Sequence, residues 1–347
     1  YGFLDFETVL AAMNHHDFST TVAFIPWNWW RTRRSTAALF RSHPRRYSLA
    51  IHGCDHTARE FGTRSVPALG RKIRLALERA ERHRQRTGLA VSPIMVFPQG
   101  VFSADAALAL QRSRFVAAVN TDVHPVGDDA PRTEVRELWQ VAITKYGGFP
   151  IFTRRYLSHG IENVAFDTLL GKPCLLVGHH DVFSGGAQEL LAFIGRLNAL
   201  AQPLRWGSLE EVIHDSYLSH QTSPGVRHVR MFANEMVLHN TSPRPETVVV
   251  TRAPSSAAIG RVTCDGRDRP WEQDARQVRF QFEAPASSPV RVRVEHHEAR
   301  HDDLPAESLR YRGRVLARRY LSEMRDDYVS RNRHVLHYAD RLMRSMK

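Results

Sequence analysis

The chain has 347 residues, 42% of them hydrophobic and 24% charged, which is ordinary for a soluble globular protein and enough for one large domain plus a smaller one. No apolar run nears the roughly 20 residues that span a bilayer, and no basic segment followed by an apolar one opens the chain. A formal net charge of +12 favours anionic partners, but arginine is spread along the whole chain rather than gathered on one segment, so nucleic acid is not the expected partner.

Asp5 is the expected N-cap of a helix over Phe6–His15, and Thr20–Ile25 follows as a strand. Tyr47–Ile51 is the next strand. Ser65 precedes a long helix with Pro67 in its first turn and Gly88 at its C-terminal stop. Strand Ile94–Phe97, a helix from Ala104 capped by Ser103, strand Phe115–Asn120 and a short run at Pro150–Thr153 come next. A helix near Glu162–Leu170, strand Cys174–Val177, helix Ala187–Leu200 and a last helix after Ser208 complete the series. This alternation predicts an α/β fold with a parallel sheet, either closed as a (β/α) barrel or doubly wound.

The pattern changes near Gln221–Gly225. Alternating, β-branched runs at Glu246–Thr251, Val278–Glu283 and Val290–Glu295, separated by Pro- and Ser-rich turns, predict a small β-sandwich. From Leu304 the text is helical and rich in arginine, and reads as a solvated appendage. The expected domains are 1–222, 223–300 and a basic helical tail over 301–347. Cys54, Cys174 and Cys264 are far apart and form no C-x-x-C pair, which argues against a disulfide framework and fits a reducing, cytoplasmic compartment.

The strongest chemical signal is Tyr47-Ser-Leu-Ala-Ile-His52-Gly-Cys-Asp-His56, in which two histidines follow an apolar strand at i and i+4. On one helical turn such side chains share a face and reach a single cation, and Gly53 permits a sharp turn after the strand. Zinc is the expected ion for two imidazoles completed by a carboxylate. Other polar clusters also sit just beyond strands: Trp27-Asn-Trp29, Phe97-Pro98-Gln-Gly100, Asn120-Thr-Asp122 and His179-His180-Asp181, with Trp206 just before the last helix. In a (β/α) barrel all the strand carboxyl ends open onto one face, where active sites are built, and this convergence favours the barrel. Trp27 and Trp29 are candidate sugar-stacking surfaces. Asp122 reads equally as a turn residue or as a group orienting a histidine.

From Thr20 to about Tyr217 the chain resembles the polysaccharide deacetylases of the NodB-homology, carbohydrate esterase 4 type. His52-Gly-Cys-Asp-His56 resembles that family's metal motif, with Gly53 where Ser or Thr is usual; Val96-Phe-Pro-Gln-Gly100 resembles its third motif and Leu175-Leu-Val-Gly-His179 its last. The resemblance implies a distorted, seven-stranded barrel with metal ligation by His52 and His56. It also implies a general acid at His179, with His180 and Asp181 as candidates to orient or replace it. A backbone N–H near Phe97–Gly100 would help hold the oxyanion. The implied reaction is metal-dependent removal of an acyl group, N-acetyl in the first instance, from a polysaccharide or related glycan, with Trp27, Trp29, Phe97, Pro98, Gly100, Asp122 and Trp206 facing substrate. The positive charge points to an acidic glycan.

The chain departs from the family in three places. The family's Asp-Asp pair, which supplies the third ligand and the general base, is expected just before Tyr1. The arginine before the Pro-x-Gly segment is replaced by the Met95-Val96 stretch, and Asn120-Thr-Asp122 matches the fourth motif loosely. Two alternatives therefore stand beside the hydrolase: an inactive carbohydrate-binding barrel, and a metal-free glycoside hydrolase using two carboxylates.

Overall fold

Asp5 accepts the backbone N–H of Glu7 and starts helix α1, Phe6–His16, as its position predicts. The computed structural model describes residues 5–127, 133–179, 182, 187–200, 204–298 and 308–324. Strands β1 (Thr20–Phe24), β2 (Tyr47–Ile51), β3 (Ser92–Val96), β4 (Ala117–Asn120) and β5 (Ile151–Thr153) form one parallel sheet in sequential order. Helix α2 (Arg34–Ser42) links β1 to β2, α3 (Val66–Thr87) links β2 to β3, and α4 (Ala104–Gln111) links β3 to β4. Helix α2 escaped the sequence reading: its N-cap Arg33 makes no side-chain bond and its first turn has no acid.

Local signals set most of the other boundaries. Gly88 ends α3 in the left-handed conformation, and the Ser103 hydroxyl accepts the N–H of Ala106 to open α4. Ser65 precedes α3 without a side-chain bond, leaving Pro67 to start that helix. The central strands β2, β3 and β4 are buried on both faces, which is why they read as nearly continuous apolar runs. Ile51, Met95, Phe97 and Ala118 pack beneath α3 and α4 against Leu69, Ile73, Ala76 and Leu110. Their neighbours Ala50, Ile94, Val96 and Val119 face the other way, against Ile213, Phe232 and Ala233.

Beyond β5 come α5 (Val135–Leu138, which precedes it in sequence), β6 (Arg155–Tyr156), α6 (Ile161–Leu169), β7 (Leu176–Val177), α7 (Gln188–Asn198) and α8 (Leu209–His214). Ser208 and Glu211 form a reciprocal capping box at the start of α8. Among the described residues the hydrogen-bonded ladder runs from β1 to β5, and β6 pairs with β7 in a separate parallel pair.

From Leu218 onward the strands are mostly antiparallel and fall into two sheets. One runs β14 (Trp271–Gln273), β15 (Val278–Ala284), β11 (Glu246–Arg252), β9 (Val226–Arg230) and β8 (Leu218–Ser223). The other runs β10 (Glu235–His239), β16 (Pro289–His296), β12 (Ile259–Cys264) and β13 (Arg267–Asp268). Buried residues alternate with exposed ones along β15 and β16, and Val248, Val250, Phe280 and Phe282 meet Leu238, Val262, Val290 and Val292 in a shared core. Asn234 ties this region to the parallel sheet: its N–H donates to Val116 O, and its amide donates to Gln111 Oε1 and Phe115 O.

Helix α9 (Leu309–Met324) is not the solvated appendage its arginine content suggests. Tyr311, Val315 and Arg319, spaced four apart along one stripe, pack inward; Val315 is 1% exposed and Arg319 is 5%. Leu309, Leu316 and Tyr320 stay exposed on another side. The remainder of the basic tail lies outside the described residues. No described helix is long and apolar enough to cross a membrane.

Candidate functional site

Strand β2 delivers His52 to the carboxyl edge of the sheet, where its backbone N–H donates to Phe24 O at the end of β1. The His52 Nδ1–H donates to Val96 O, 2.8 Å away at the end of β3. A carbonyl only accepts, so this bond fixes the proton on Nδ1 and leaves Nε2 as a bare acceptor. The His52 and His56 rings lie 4.8 Å apart, centroid to centroid, in an edge-to-face arrangement.

The pair meets by a route other than the expected helical turn. Residues 52–57 form a loop, with Gly53 at φ 65° and His56 at φ 58°. The loop is organised by Glu60, whose buried carboxylate accepts the consecutive N–H groups of Cys54, Asp55 and His56 at 3.1, 2.8 and 3.1 Å. Three successive amides around one anion make a nest that curls the chain at Cys54–His56. Gly53 is required there: a Cβ would fall 2.3 Å from Pro98 Cγ and 2.5 Å from Glu60 Oε2.

The charge of this loop is balanced internally. Lys72 donates to Glu60 Oε1 at 3.1 Å and to Asp55 Oδ2 at 3.4 Å, and Arg79 donates to Asp55 Oδ1 at 2.5 Å. Tyr311 of α9 adds its hydroxyl to Asp55 Oδ2 at 2.6 Å. Burial works against the Asp55 carboxylate, but Lys72, the Tyr311 hydroxyl and Arg79 outweigh it and hold the group below its ordinary value. Cys54, Asp55 and Glu60 bring possible ligand atoms within 4.8 Å of one another, but both carboxylates are already neutralised by Lys72 and Arg79. The cluster serves as the scaffold of the loop. Burial also pushes the Cys54 thiol well above its usual range.

Both histidines are kept neutral. Burial first, then the neighbouring His56, Arg154 and Arg319, bring His52 down to about 3. Burial and the charges of Arg319, Arg318 and His179 bring His56 down to about 4. Neutral imidazoles are the form that binds a metal, and His52 has the oriented tautomer that ligation needs. Among the described residues no third Cys, Asp, Glu or His completes a closely spaced donor group with them. The donor chemistry therefore fits two positions of a divalent-metal site.

The other expected site residues divide. His179, beyond β7, is exposed and close enough to His56 to act on its charge. His180 and Asp181 lie outside the described residues. Phe97 does not face solvent: it is buried and stacked on Phe102 at 4.9 Å. Pro98 is buried against Gly53. The Gly100 N–H donates to Phe97 O, so it is spent inside its own turn, while Gly100 O accepts from the buried Asn120 amide. Asp122 is exposed and accepts the N–H of His124 two residues on, which is the turn reading of that residue.

The arginines of α3 cover the tryptophans. The Arg79 guanidinium lies 4.8 Å from the Trp27 ring and that of Arg82 lies 5.8 Å from Trp29, so one face of each ring is already used. Trp206 does not join the others. It packs on Phe18 and donates to Asn198, beside Ser19, Arg45 and Arg46 at the opposite, amino-terminal end of β1 and β2. The contact of Phe18 with Trp206 and the bond from the Leu209 N–H to Thr21 hold the segment there.

Sequence reasoning missed Glu60, Lys72, Arg79, Arg154, Tyr311 and Arg319. Glu60 follows His56 by four residues and could have been suspected. The others are ordinary basic or aromatic residues with no local signature.

No protein-family model matches the chain, and no curated protein matches it. Among solved structures the chain is similar to a Mycobacterium smegmatis protein provisionally assigned as a polysaccharide deacetylase, with 15% identity and a TM-score of 0.38 over 58% of this chain and 72% of that one. At that distance the likeness transfers no residue role.

Proposed function

We propose that the chain is a metal-dependent hydrolase that removes an acyl group, N-acetyl in the first instance, from a polysaccharide or related glycan. In this reading residues 1–222 form a distorted, seven-stranded (β/α) barrel of the deacetylase type, 223–300 a β-sandwich and 301–347 a basic tail. One observation carries the proposal: two histidines, both held neutral and one fixed in tautomer, stand together at the carboxyl edge of a parallel sheet.

His52 and His56 would hold a divalent cation, with zinc favoured by the donors; bound there, it would polarise a carbonyl and acidify a water. The rest falls to the chain. The Val96 carbonyl keeps the His52 proton on Nδ1 and its ring in place. Glu60 and Gly53 keep the two imidazoles together. We assign His179 the protonation of the leaving amine, a step that suits an exposed imidazole beside the pair, with His180 and Asp181 as candidate partners.

A second reading, an inactive glycan-binding barrel, is favoured by the lack of a third donor among the described residues. A two-carboxylate glycosidase is disfavoured because Asp122 is taken up in a turn. The deciding experiment is elemental analysis of dialysed protein, wild type against His52→Ala/His56→Ala, followed by acetate release from N-acetylated glycans. Near-stoichiometric metal, lost in the variant, together with acetate release supports the hydrolase. No metal after reloading leaves the binding barrel.

A further inference from the structure

Trp206, expected beside the histidines, stands instead in the wall of a separate cavity. This cavity holds about 330 Å³ at the amino-terminal edge of β1 and β2, and its walls include Asp17, Ser19, Arg45, Arg46, Arg205 and Trp206. A five-residue strand rises about 16 Å, and that length of β2 separates Arg46 from His52 at the carboxyl edge. The volume falls at the lower end of the range of about 300–1,000 Å³ that small-molecule sites occupy.

Two walls are fixed in place by the fold. Arg46 donates from Nη1 to Asp17 Oδ1 at 2.9 Å and to Phe18 O at 3.0 Å, and from Nε to Asn14 Oδ1 at 3.2 Å. Trp206 donates its Nε1–H to Asn198 Oδ1 at 2.8 Å and sets its ring edge-to-face against Phe18 at 6.0 Å. Asn198 in turn donates to His16 O at 2.6 Å, so the C-terminal ends of α1 and α7 clamp the indole. The Ser19 hydroxyl donates to Arg45 O, and the Thr20 N–H donates to Arg46 O, each at 2.8 Å. These bonds hold the segment that carries both arginines against the start of β1. Side chains ordered in advance lose less entropy when a ligand arrives.

Charge and shape then select the ligand. Three guanidinium groups line the cavity against one carboxylate, that of Asp17, which is itself paired with Arg46. Arg205 is anchored by its ion pair with Asp215 at the end of α8. A concave surface with an excess of one sign concentrates ions of the other. The planar guanidinium fork matches the paired oxygens of a carboxylate, phosphate or sulfate. The indole offers an apolar face to a ring, while Asp17 and Ser19 offer acceptors to hydroxyl groups. That combination suits a hydroxylated ring better than an aromatic one.

We propose that this cavity is a second ligand site, separate from the histidine pair, that takes a sugar ring bearing an oxyanion: a uronate, or a phosphate or sulfate ester. Arg45, Arg46 and Arg205 receive the anion and Trp206 the ring. The inference goes beyond the hydrolase reading and uses none of the residues assigned to it.

The test is calorimetric titration of the full chain with glucuronate and, separately, with glucose phosphorylated on its primary hydroxyl, using glucose as the neutral control. The expected result is saturable binding of one or both acids, with glucose at least roughly tenfold weaker, as loss of one charge-assisted contact would make it. Arg45→Gln and Arg205→Gln each weaken the acids by a similar factor; both side chains are exposed, so neither change disturbs the core. Trp206→Phe keeps a ring against Phe18, weakens the sugar phosphate and leaves inorganic phosphate unaffected. Glucuronate alone identifies a carboxylate ligand and the sugar phosphate alone an ester; both together identify an oxyanion of either kind. Absence of saturable binding by either acid, glucose bound as well as they are, or affinity unaltered in both glutamine variants overturns the proposal. His52→Ala/His56→Ala binds the acids as the wild type does, even where metal is lost. Loss of acid binding in that variant would place the ligand at the histidine edge and overturn the second site, whereas retained acid binding with no metal uptake in the wild type would sink the hydrolase alone.

Discussion

The hydroxyl of Tyr311 donates to Asp55 Oδ2 at 2.6 Å, and this contact fastens helix α9 to the loop that carries His56. Lys72 donates to the same hydroxyl at 3.0 Å, so the phenol is bonded from both sides. Burial and the Asp55 carboxylate raise the phenol far above its ordinary range, and it stays protonated as a donor. Tyr311→Phe keeps the ring and removes this bond to a charged acceptor. The expected cost is about 1.5–3 kcal/mol, read as a lower urea midpoint. An unchanged midpoint would show that α9 is held by Val315 and Arg319 alone.

Glu60→Gln removes a buried charge that Lys72 and three backbone amides all answer. Breaking a buried pair leaves Lys72 with Asp55 alone, and a loss of about 3–5 kcal/mol is expected. Because the nest sets the curl of residues 54–56, metal uptake should fall with stability even though Glu60 is not assigned as a ligand. Retention of full metal uptake at a wild-type urea midpoint would refute the nest as the organiser of the pair.

Gly53→Ser restores the residue type usual in the resembled family, yet it should harm this chain. The left-handed backbone and the contact with Pro98 both oppose a Cβ, and overpacking of this kind costs about 1–3 kcal/mol. Pro98→Ala opens the space and should recover part of the loss when combined with it. Equal melting temperatures for wild type and Gly53→Ser would contradict the geometry.

Four histidines couple stability to acid in metal-free protein. Burial lowers His52 to about 3, His56 to about 4, His83 to about 4 and His296 to about 3, against an ordinary value of 6.5. Each folded value lies below the unfolded one, so the unfolded chain takes up protons first. Stability is fully present above pH 6.5 and declines as the pH falls toward 4 and then 3. His296 Nε2 accepts from the Gln111 amide at 2.9 Å, a bond that protonation would abolish. His296→Gln should reduce the proton uptake on unfolding by about one, measured from urea midpoints between pH 4 and 7. A pH-independent midpoint across that range would exclude the effect.

Much of the fold was legible because the signals were local. Asp5, Ser103 and Ser208 cap the helices they precede, since a cap needs only a side chain within three residues of an unpaired N–H. The strands at Glu246–Arg252, Val278–Ala284 and Pro289–His296 followed from alternation, which the two faces of a sheet impose residue by residue. Cys174–Val177 shrank to Leu176–Val177, because pairing with the short β6 leaves only two residues bonded.

The sequence by itself determined that His52 and His56 stand at the end of an apolar strand, because strand and histidines are contiguous. Only the tertiary structure decided how they meet and what surrounds them. The loop is curled by Glu60 rather than wound as a helical turn, and Arg79 and Tyr311 reach it from helices remote in sequence. The same packing carried Trp206 to the far end of the sheet and buried Phe97 in the core. A motif records which groups lie near one another along the chain. The charge around them is set by long-range packing, which no local pattern encodes.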